Sequence, residues 1–184
     1  NMTRLNYDDN SNNQVQTPHL WYRTPLGESL TLRVGPTGIG YTDLVDTITP
    51  PTIPDDSLGI PSKFGEYDVI YRRGGGGAGL NWDITDNFQF SVGYVAGNNE
   101  DPTEGNGLFN GTYHALAQLY WKGDQSGFGF AYSRSYYSID ADNPNKVDLT
   151  SGIGSFLAAQ PFGDNISTTG NFYTLQGYHQ FTPN

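Results

Sequence analysis

Residues 79–96 read GLNWDITDNFQFSVGYVA, and the order of polar and apolar residues in this stretch decides the fold. Two runs flank a short turn at residues 85–87, and in each run every second side chain is apolar or aromatic. The apolar positions are Leu80, Trp82, Ile84, Phe88, Phe90, Val92 and Tyr94. A period of two residues is typical of a β-strand whose two faces meet different surroundings. The stretch therefore predicts an antiparallel hairpin with one apolar face and one polar face.

The same hairpin pattern repeats along the chain in both directions. Strand-like runs rich in aromatic and β-branched residues cover residues 20–24, 30–35, 79–84, 88–96, 112–121, 128–138 and 172–181. The turns within hairpins are short, whereas the connections between hairpins are long, namely residues 36–77, 97–111 and 139–171. Bacterial transmembrane barrels keep short turns at the periplasmic end and long loops outside. We therefore predict an all-β chain, an antiparallel transmembrane β-barrel segment with long extracellular loops and short periplasmic turns.

Two further features bear on this prediction. Residues 1–8 also read as a strand, so the segment would hold about seven or eight strands. Aromatic residues near strand ends, such as Trp82, Trp121 and Tyr136, match the girdles that flank the apolar band of a barrel. The alternative is a soluble secreted β-sandwich that binds carbohydrate through exposed Trp and Tyr, because its strands alternate in the same way around a closed core. The two folds differ in whether the apolar faces meet lipid or each other.

The composition excludes several classes of protein. The chain has 19 acidic and 9 basic residues, a net charge of −10, which argues against a nucleic-acid partner because phosphate contacts need clustered Lys and Arg. The lack of Cys excludes thiolate metal sites and disulfide scaffolds. No apolar run approaches the ~18 residues of a membrane helix. The glycine-rich run at residues 74–79 leads into a strand pattern and not a helix, which argues against a dinucleotide site.

Motifs for catalysis or metal binding are weak. His19, His114 and His179 lie far apart in the chain. Residues 140–145 begin like a calcium loop, but the glycine and the distal Glu of that motif are missing. The acidic residues form no pair that stands out as the two carboxyl groups of a glycosidase. We therefore expect no enzymatic activity, no cofactor and no metal site.

The long connection at residues 36–77 is the candidate site. A loop of this length without regular structure is uncommon unless it has a function. In a barrel it can fold into the lumen, where its charges would set the size and charge selectivity of the passage together with arginines of the wall. A solvated surface loop is the alternative. The residues of the predicted constriction are Asp43, Asp46, Asp55, Asp56, Glu66 and Asp68, with Arg23, Arg33, Arg72 and Arg73.

Several stretches of the sequence resemble the cyanobacterial outer-membrane porins. They are LWYRTPLGE at residues 20–28, GLNWD at 79–83, VGYVAG at 92–97, NNEDPTEGNGLFNGTY at 98–113, and the ending FTPN at 181–184. Members of that family carry a signal peptide, an S-layer-homology domain that grips the cell wall, and a larger, often trimeric barrel. They are similar to carbohydrate-selective porins, yet they are described mainly as pores for inorganic ions, and many as iron-uptake porins.

The resemblance implies that residues 1–184 are a middle portion of a porin barrel of about 16 strands. The signal peptide, the S-layer-homology domain and the closing strands would then lie outside this sequence, and residues 36–77 would be the inward-folded third loop. The implied function is passive diffusion of small hydrophilic solutes and inorganic ions, including iron, through the cell outer membrane, with a preference for cations. The implied partners are outer-membrane lipid, two further copies in a homotrimer, and peptidoglycan through the upstream domain.

Overall fold

The fold is a single antiparallel sheet. A computed structural model of the protein describes residues 19–48, 68–71, 73–97, 99, 106–139, 147–163 and 165–181. Seven strands follow one another in chain order across the sheet, and each pairs with its neighbour in sequence. They are β1 (Leu20–Pro25), β2 (Leu30–Gly40), β3 (Gly74–Asp83), β4 (Phe88–Ala96), β5 (Tyr113–Lys122), β6 (Ser126–Tyr137) and β7 (Thr168–His179). The sheet is open, with β1 and β7 at its two edges.

Four single-turn helices lie in the described parts of the connections between strands. They are α1 (Tyr41–Leu44), α2 (Asp68–Tyr71), α3 (Gly107–Asn110) and α4 (Phe156–Ala159). Within the described ranges, none of the helices has the length and apolar character needed to cross a membrane. The all-β, antiparallel prediction is confirmed, and each of the seven runs predicted between residues 20 and 181 has its strand. The run at residues 1–8 lies outside the described residues.

The predicted bounds of the long connection at residues 36–77 are wrong. Strand β2 continues to Gly40 after an irregularity in its register between Gly35 and Ile39, and β3 already begins at Gly74. The glycine-rich run is thus part of a strand and not of a loop. A side chain would not fit there, because a Cβ atom on Gly77 would lie 1.9 Å from the carbonyl oxygen of Tyr94. The connection therefore begins at residue 41, and its helix α2 ends just before β3.

The two faces of the sheet differ in what covers them. On one face, here called the outer face, the register places the apolar positions side by side from strand to strand. One such row consists of Leu30, Trp82, Phe90, Leu119, Phe130 and Leu175. Trp82 is 47% exposed and Leu175 is 69% exposed, so this face has no covering layer among the described residues. The opposite, inner face carries Asn81, Ser91 and Gln118, which are buried.

The hydrophobic core lies on the inner face. Its buried members come from the end of β2, from the connection that follows it, from α2 and from inward positions of β4, β5 and β6: Ile39, Tyr41, Leu44, Val45, Ile70, Tyr71, Val95, Leu116 and Ala131. Phe172 of β7 packs against this cluster. The core is therefore made by chain segments folded onto the polar face, and the regular apolar face takes no part in it.

Two paired glycines make room for this core. Gly79 of β3 and Gly93 of β4 are register partners on the inner face. A Cβ atom on Gly79 would lie 2.7 Å from both the Cβ atom and the carbonyl oxygen of Leu44, and one on Gly93 would lie 2.9 Å from the ring of Tyr41. The absence of two side chains thus forms a shallow seat in which α1 rests against the sheet backbone.

The substitution Gly79→Ala tests this seat. We expect it to lower the free energy of unfolding of the whole protein by about 1–3 kcal/mol, because the new methyl group must displace the backbone of Leu44. Denaturant titration of the whole protein measures the change. Gly97→Ala is the matched control, since its new Cβ atom would meet nothing closer than 4.0 Å. Equal effects of the two substitutions would refute the steric role of the seat.

Candidate functional site

The candidate site is formed where residues 41–48, here called the inserted segment, cross the inner face. Leu44 lies over Gly79 of β3, and Tyr41 lies over Gly93 of β4. Further along, Ile48 reaches Gly129 of β6, where an added Cβ atom would lie 3.5 Å from the Cδ1 atom of Ile48. The inserted segment therefore spans four neighbouring strands, and the side chains around it come from distant parts of the sequence.

Side-chain amides of the sheet hold the backbone of the inserted segment. Asn81 donates from Nδ2 to the carbonyl oxygen of Leu44 at 2.8 Å, and its Oδ1 accepts from the backbone N–H of Asp46 at 3.2 Å. Ser91 donates to the same Oδ1 at 2.7 Å. A backbone lying across a sheet has no ladder partners of its own, so such side-chain bonds satisfy groups that would otherwise be buried unpaired.

Gln118 joins the two ends of the long connection. Its Nε2 donates to the carbonyl oxygen of Asp46 at 2.5 Å, and its Oε1 accepts from the hydroxyl of Tyr71 in α2 at 2.5 Å. The side chain is buried, with only 3% of its surface exposed. A single glutamine of β5 thus ties α2 and the inserted segment to the same point on the inner face.

A charged pair lies beside these amides. Arg33 of β2 contacts Asp46 of the inserted segment, with 2.6 Å between Nη2 and Oδ1. The arginine side chain is 11% exposed and the aspartate side chain 38% exposed. Gln89 donates from Nε2 to Asp46 at 3.1 Å and to Asp83 at 2.7 Å. The pair therefore presents a partly solvated carboxylate on the inner face, held on one side by a cation and on the other by a neutral donor.

Arg73 has a different role. Its guanidinium donates from Nε to the carbonyl oxygen of Val69 at 3.2 Å, and from Nη2 to that of Leu149 at 2.6 Å. It also donates to the carbonyl oxygen of Asp148 at 3.2 Å and to the hydroxyl of Tyr137. Arg73 is 4% exposed. It therefore connects α2 by hydrogen bonds to residues 148–149, which belong to the connection between β6 and β7.

The structure brings together only part of the predicted constriction. Arg33 and Asp46 form an ion pair, and Arg73 is bound to backbone carbonyls. Asp43 accepts from the backbone N–H of Gly40 at 2.8 Å and lies 3.5 Å from His19 Nε2, at the start of α1. Arg23 is exposed on β1, where it is the register partner of Arg33. Asp55, Asp56, Glu66, Arg72 and the side chain of Asp68 lie outside the described residues.

The sequence analysis missed the residues that hold the inserted segment. Asn81, Gln89 and Gln118 are amides at inward positions of three consecutive strands, and this recurrence was a signal that a backbone would be bound there. In the described part of the chain, no three His, Asp or Glu side chains come together.

Two buried tyrosines shape the electrostatics of the site. Burial raises the pKa of Tyr41 well above its ordinary value, and burial likewise raises the pKa of Tyr71. Both phenols are therefore kept neutral in the folded protein. Tyr71 donates to Gln118, whereas the hydroxyl of Tyr41 finds no hydrogen-bond partner among the described residues.

Comparison with known proteins gives two relatives from cyanobacteria. The chain is 65% identical over 183 residues to the uncharacterized protein sll0772 of Synechocystis, covering 100% of the chain and 33% of that protein. It is 30% identical over 136 residues to the uncharacterized protein alr4550 of Nostoc, covering 68% of the chain and 24% of that protein. The chain thus spans a third or less of the length of these relatives. No family model and no solved structure matches it.

The contacts of Tyr71 and Tyr41 predict different changes in the free energy of unfolding when each hydroxyl group is removed. Tyr71→Phe should lower the free energy of unfolding by about 1 kcal/mol, because Gln118 loses a buried partner. Tyr41→Phe should leave it unchanged or raise it slightly, because the ring stays and an unpaired polar atom is removed. Denaturant titration of both variants of the whole protein at neutral pH provides the comparison. A larger loss for Tyr41→Phe than for Tyr71→Phe would contradict these contacts.

The raised pKa of Tyr41 also predicts a dependence on pH. Below pH 10 both the folded and the unfolded protein hold the phenol neutral, so pH has no effect through this group. Above about pH 10 the unfolded chain releases the proton and the folded protein does not, so stability falls by at most about 1.4 kcal/mol per pH unit. The measurement is the stability of wild type minus that of Tyr41→Phe between pH 8 and 11. A difference that stays flat above pH 10 would show that Tyr41 is solvated.

Proposed function

We propose that the chain is part of a porin of the cyanobacterial outer membrane, through which small hydrophilic solutes and inorganic ions, including iron, diffuse passively with a preference for cations. The proposal rests above all on the contrast between the faces of the sheet. No described residue covers the face with regular apolar positions, while the polar face holds an inserted segment that forms a charged pair with the sheet. A soluble domain buries its regular apolar face, whereas a membrane barrel turns it to lipid.

The dimensions of the outer face support this proposal. On β5, Tyr113 and Trp121 lie eight positions apart, which is about 26 Å along the strand and about 20 Å along the membrane normal at a ~40° tilt. Phe88 and Phe128 are the register neighbours of Trp121 near the short turns, and Tyr136 is the neighbour of Tyr113 near the long connections. Aromatic residues thus mark both ends of the outward positions on β5 and its neighbours, as the girdles of a lipid-facing barrel wall do.

The proposed mechanism is selection by size and charge in a hydrated lumen, with no catalytic residue. The inserted segment and α2 would narrow the passage on the inner face. Asp46 and Asp83 would place negative charge beside the path, and the net charge of −10 would enrich cations nearby. Arg33 pairs with Asp46, so the electric field in the narrow part would be directed across the passage.

The remaining parts of the proposal concern the whole protein. The sheet would close with strands outside this sequence into a barrel of about 16 strands, with long loops outside the cell. A homotrimer in outer-membrane lipid, an upstream S-layer-homology domain on peptidoglycan, and a signal peptide follow from the resemblance noted above. The organisms of the two relatives support the resemblance, because both are cyanobacteria.

A soluble β-sandwich that binds carbohydrate is the competing proposal, and exposed aromatic residues such as Trp21 and Tyr173 are what favour it. Such a fold needs a second layer over the outer face. Extraction separates the two proposals: a porin stays with the envelope in carbonate and salt and is released by detergent, whereas a sandwich is released into buffer.

Planar-bilayer recording of the whole protein tests the proposed selectivity. Asp46→Asn should lower the permeability ratio of K⁺ to Cl⁻ by about two-fold or more, because it removes a lumen carboxylate and leaves Arg33 unpaired. Asp86→Asn is the matched control, since this exposed acid lies in the short turn between β3 and β4. An unchanged ratio for a folded Asp46→Asn protein would rule out the charged pair as part of the selectivity filter.

A further inference from the structure

Arg134 of β6 is a charged residue on the largely apolar outer face. Its register partners are Ala115 of β5 and Asn171 of β7, both at outward positions. Among the described strand residues, it is the one Asp, Glu, Lys or Arg on this face. Its side chain is exposed, and neither of the two ion pairs in the described part of the chain involves it. A cation on an otherwise apolar surface is stabilised by an anion nearby. Here that anion would come from outside the chain.

The position of Arg134 along the strand fits the headgroup level of a membrane. It lies three residues before the end of β6, about 10 Å from the long-connection end of the strand. Near this end of the strands, aromatic rings contact one another. Tyr94 stacks on Tyr113 at 5.6 Å between ring centroids, and Tyr113 contacts Tyr136 at 5.6 Å. An arginine at the membrane midplane costs about 2–4 kcal/mol, but near the interface this cost falls to about 0–1 kcal/mol.

Polar groups converge around the guanidinium. Tyr113, diagonal to Arg134 across the β5–β6 ladder, and Tyr132, two residues before Arg134 on the same face, are its neighbours that carry hydroxyl groups. Tyr132 in turn donates to Asn171 Oδ1 at 2.8 Å, which fixes the position of its hydroxyl. The hydroxyl of Tyr113 has a proton to donate. Arg134 and Tyr113 can therefore donate together to one anionic oxygen group, in the way that arginine forks bind phosphate.

Small side chains continue this site toward the middle of the sheet. Ala115 and Ala117 are the outward residues of β5, and Val92 of β4 and Tyr132 of β6 stand on either side of Ala117. Because alanine side chains are shorter than these neighbours, the register implies a shallow groove that runs from Arg134 along β5 into the apolar band. A headgroup bound at Arg134 would have its acyl chain in this groove.

We propose that Arg134, Tyr113 and the Ala115–Ala117 groove bind the phosphate headgroup and one acyl chain of an anionic lipid in the leaflet on the long-connection side. The inference rests on the proposed function, because it takes the outer face to meet lipid. It adds a specific lipid site to that face. The bound lipid would neutralise Arg134, the one Asp, Glu, Lys or Arg at the outward positions of the described strands, and hold β5 and β6 at a fixed depth.

Native mass spectrometry of the whole protein from nonionic detergent micelles tests this site with phosphatidylglycerol and phosphatidylcholine as probes. Wild type should retain phosphatidylglycerol preferentially. Arg134→Gln should retain about ten-fold less of it, the equivalent of one charge-assisted hydrogen bond, and Arg134→Lys should fall between. Lys122→Gln is the matched control, since Lys122 is exposed at the other end of β5. Equal retention by wild type and Arg134→Gln would overturn the inference.

Two further measurements separate the alternatives. An excess of inorganic phosphate should displace little lipid, because phosphate has no acyl chain for the groove; full displacement would show a simple anion site and refute the lipid assignment. Bilayer conductance of Arg134→Gln should match wild type. If channels form and lipid retention does not depend on Arg134, only the lipid site fails. If wild type neither forms channels nor needs detergent, the porin proposal fails and the lipid site fails with it.

Discussion

The rest of the structure depends on the bonds between Asn81 and Gln118 and the backbone of the inserted segment. A chain laid across a sheet exposes N–H and C=O groups that no neighbouring strand can satisfy, and burying them unpaired would be costly. Asn81 binds the carbonyl of Leu44 and the amide of Asp46, and Gln118 binds the carbonyl of Asp46. Only with these bonds in place can the glycine seat receive Leu44 and Arg33 reach Asp46.

In a soluble sheet the regular apolar positions form the hydrophobic core, whereas in this sheet they do not. The regular apolar positions face outward and no described residue covers them, while the buried cluster combines inward strand residues with segments folded onto the polar face. The hydrophobic effect stabilises only apolar surface that leaves water. Within this chain it therefore acts on the inner cluster, and the outer face needs an apolar surrounding of its own. The porin proposal and the lipid site at Arg134 both follow from that need.

Three arginines show how the surroundings of a guanidinium decide its role. Arg33 meets a carboxylate that is partly solvated, so the pair keeps a field directed across the inner face. Arg73 is surrounded by carbonyl oxygens and serves as a fastening between two inward-folded stretches. Arg134 lies beside tyrosine side chains on the outer face, and in the proposed lipid site an external anion matches its charge. Their shared chemistry is fixed by the sequence, but their partners are not.

The sequence by itself determined the seven strands between residues 20 and 181, the order of short turns and long connections, and the faces of the alternating positions in β2, β3, β4 and β5. It could do so because alternation along a strand is a local property of the backbone. The glycine-rich run was not predicted to be part of a strand, because residues without side chains show no alternation. The glycine seat, the amide contacts and the pairing of Arg33 with Asp46 were decided by the tertiary structure. Asn81 meets Leu44 across 37 positions and Gln118 meets Asp46 across 72, and contacts at such separations depend on sheet register and chain path, which no local pattern encodes.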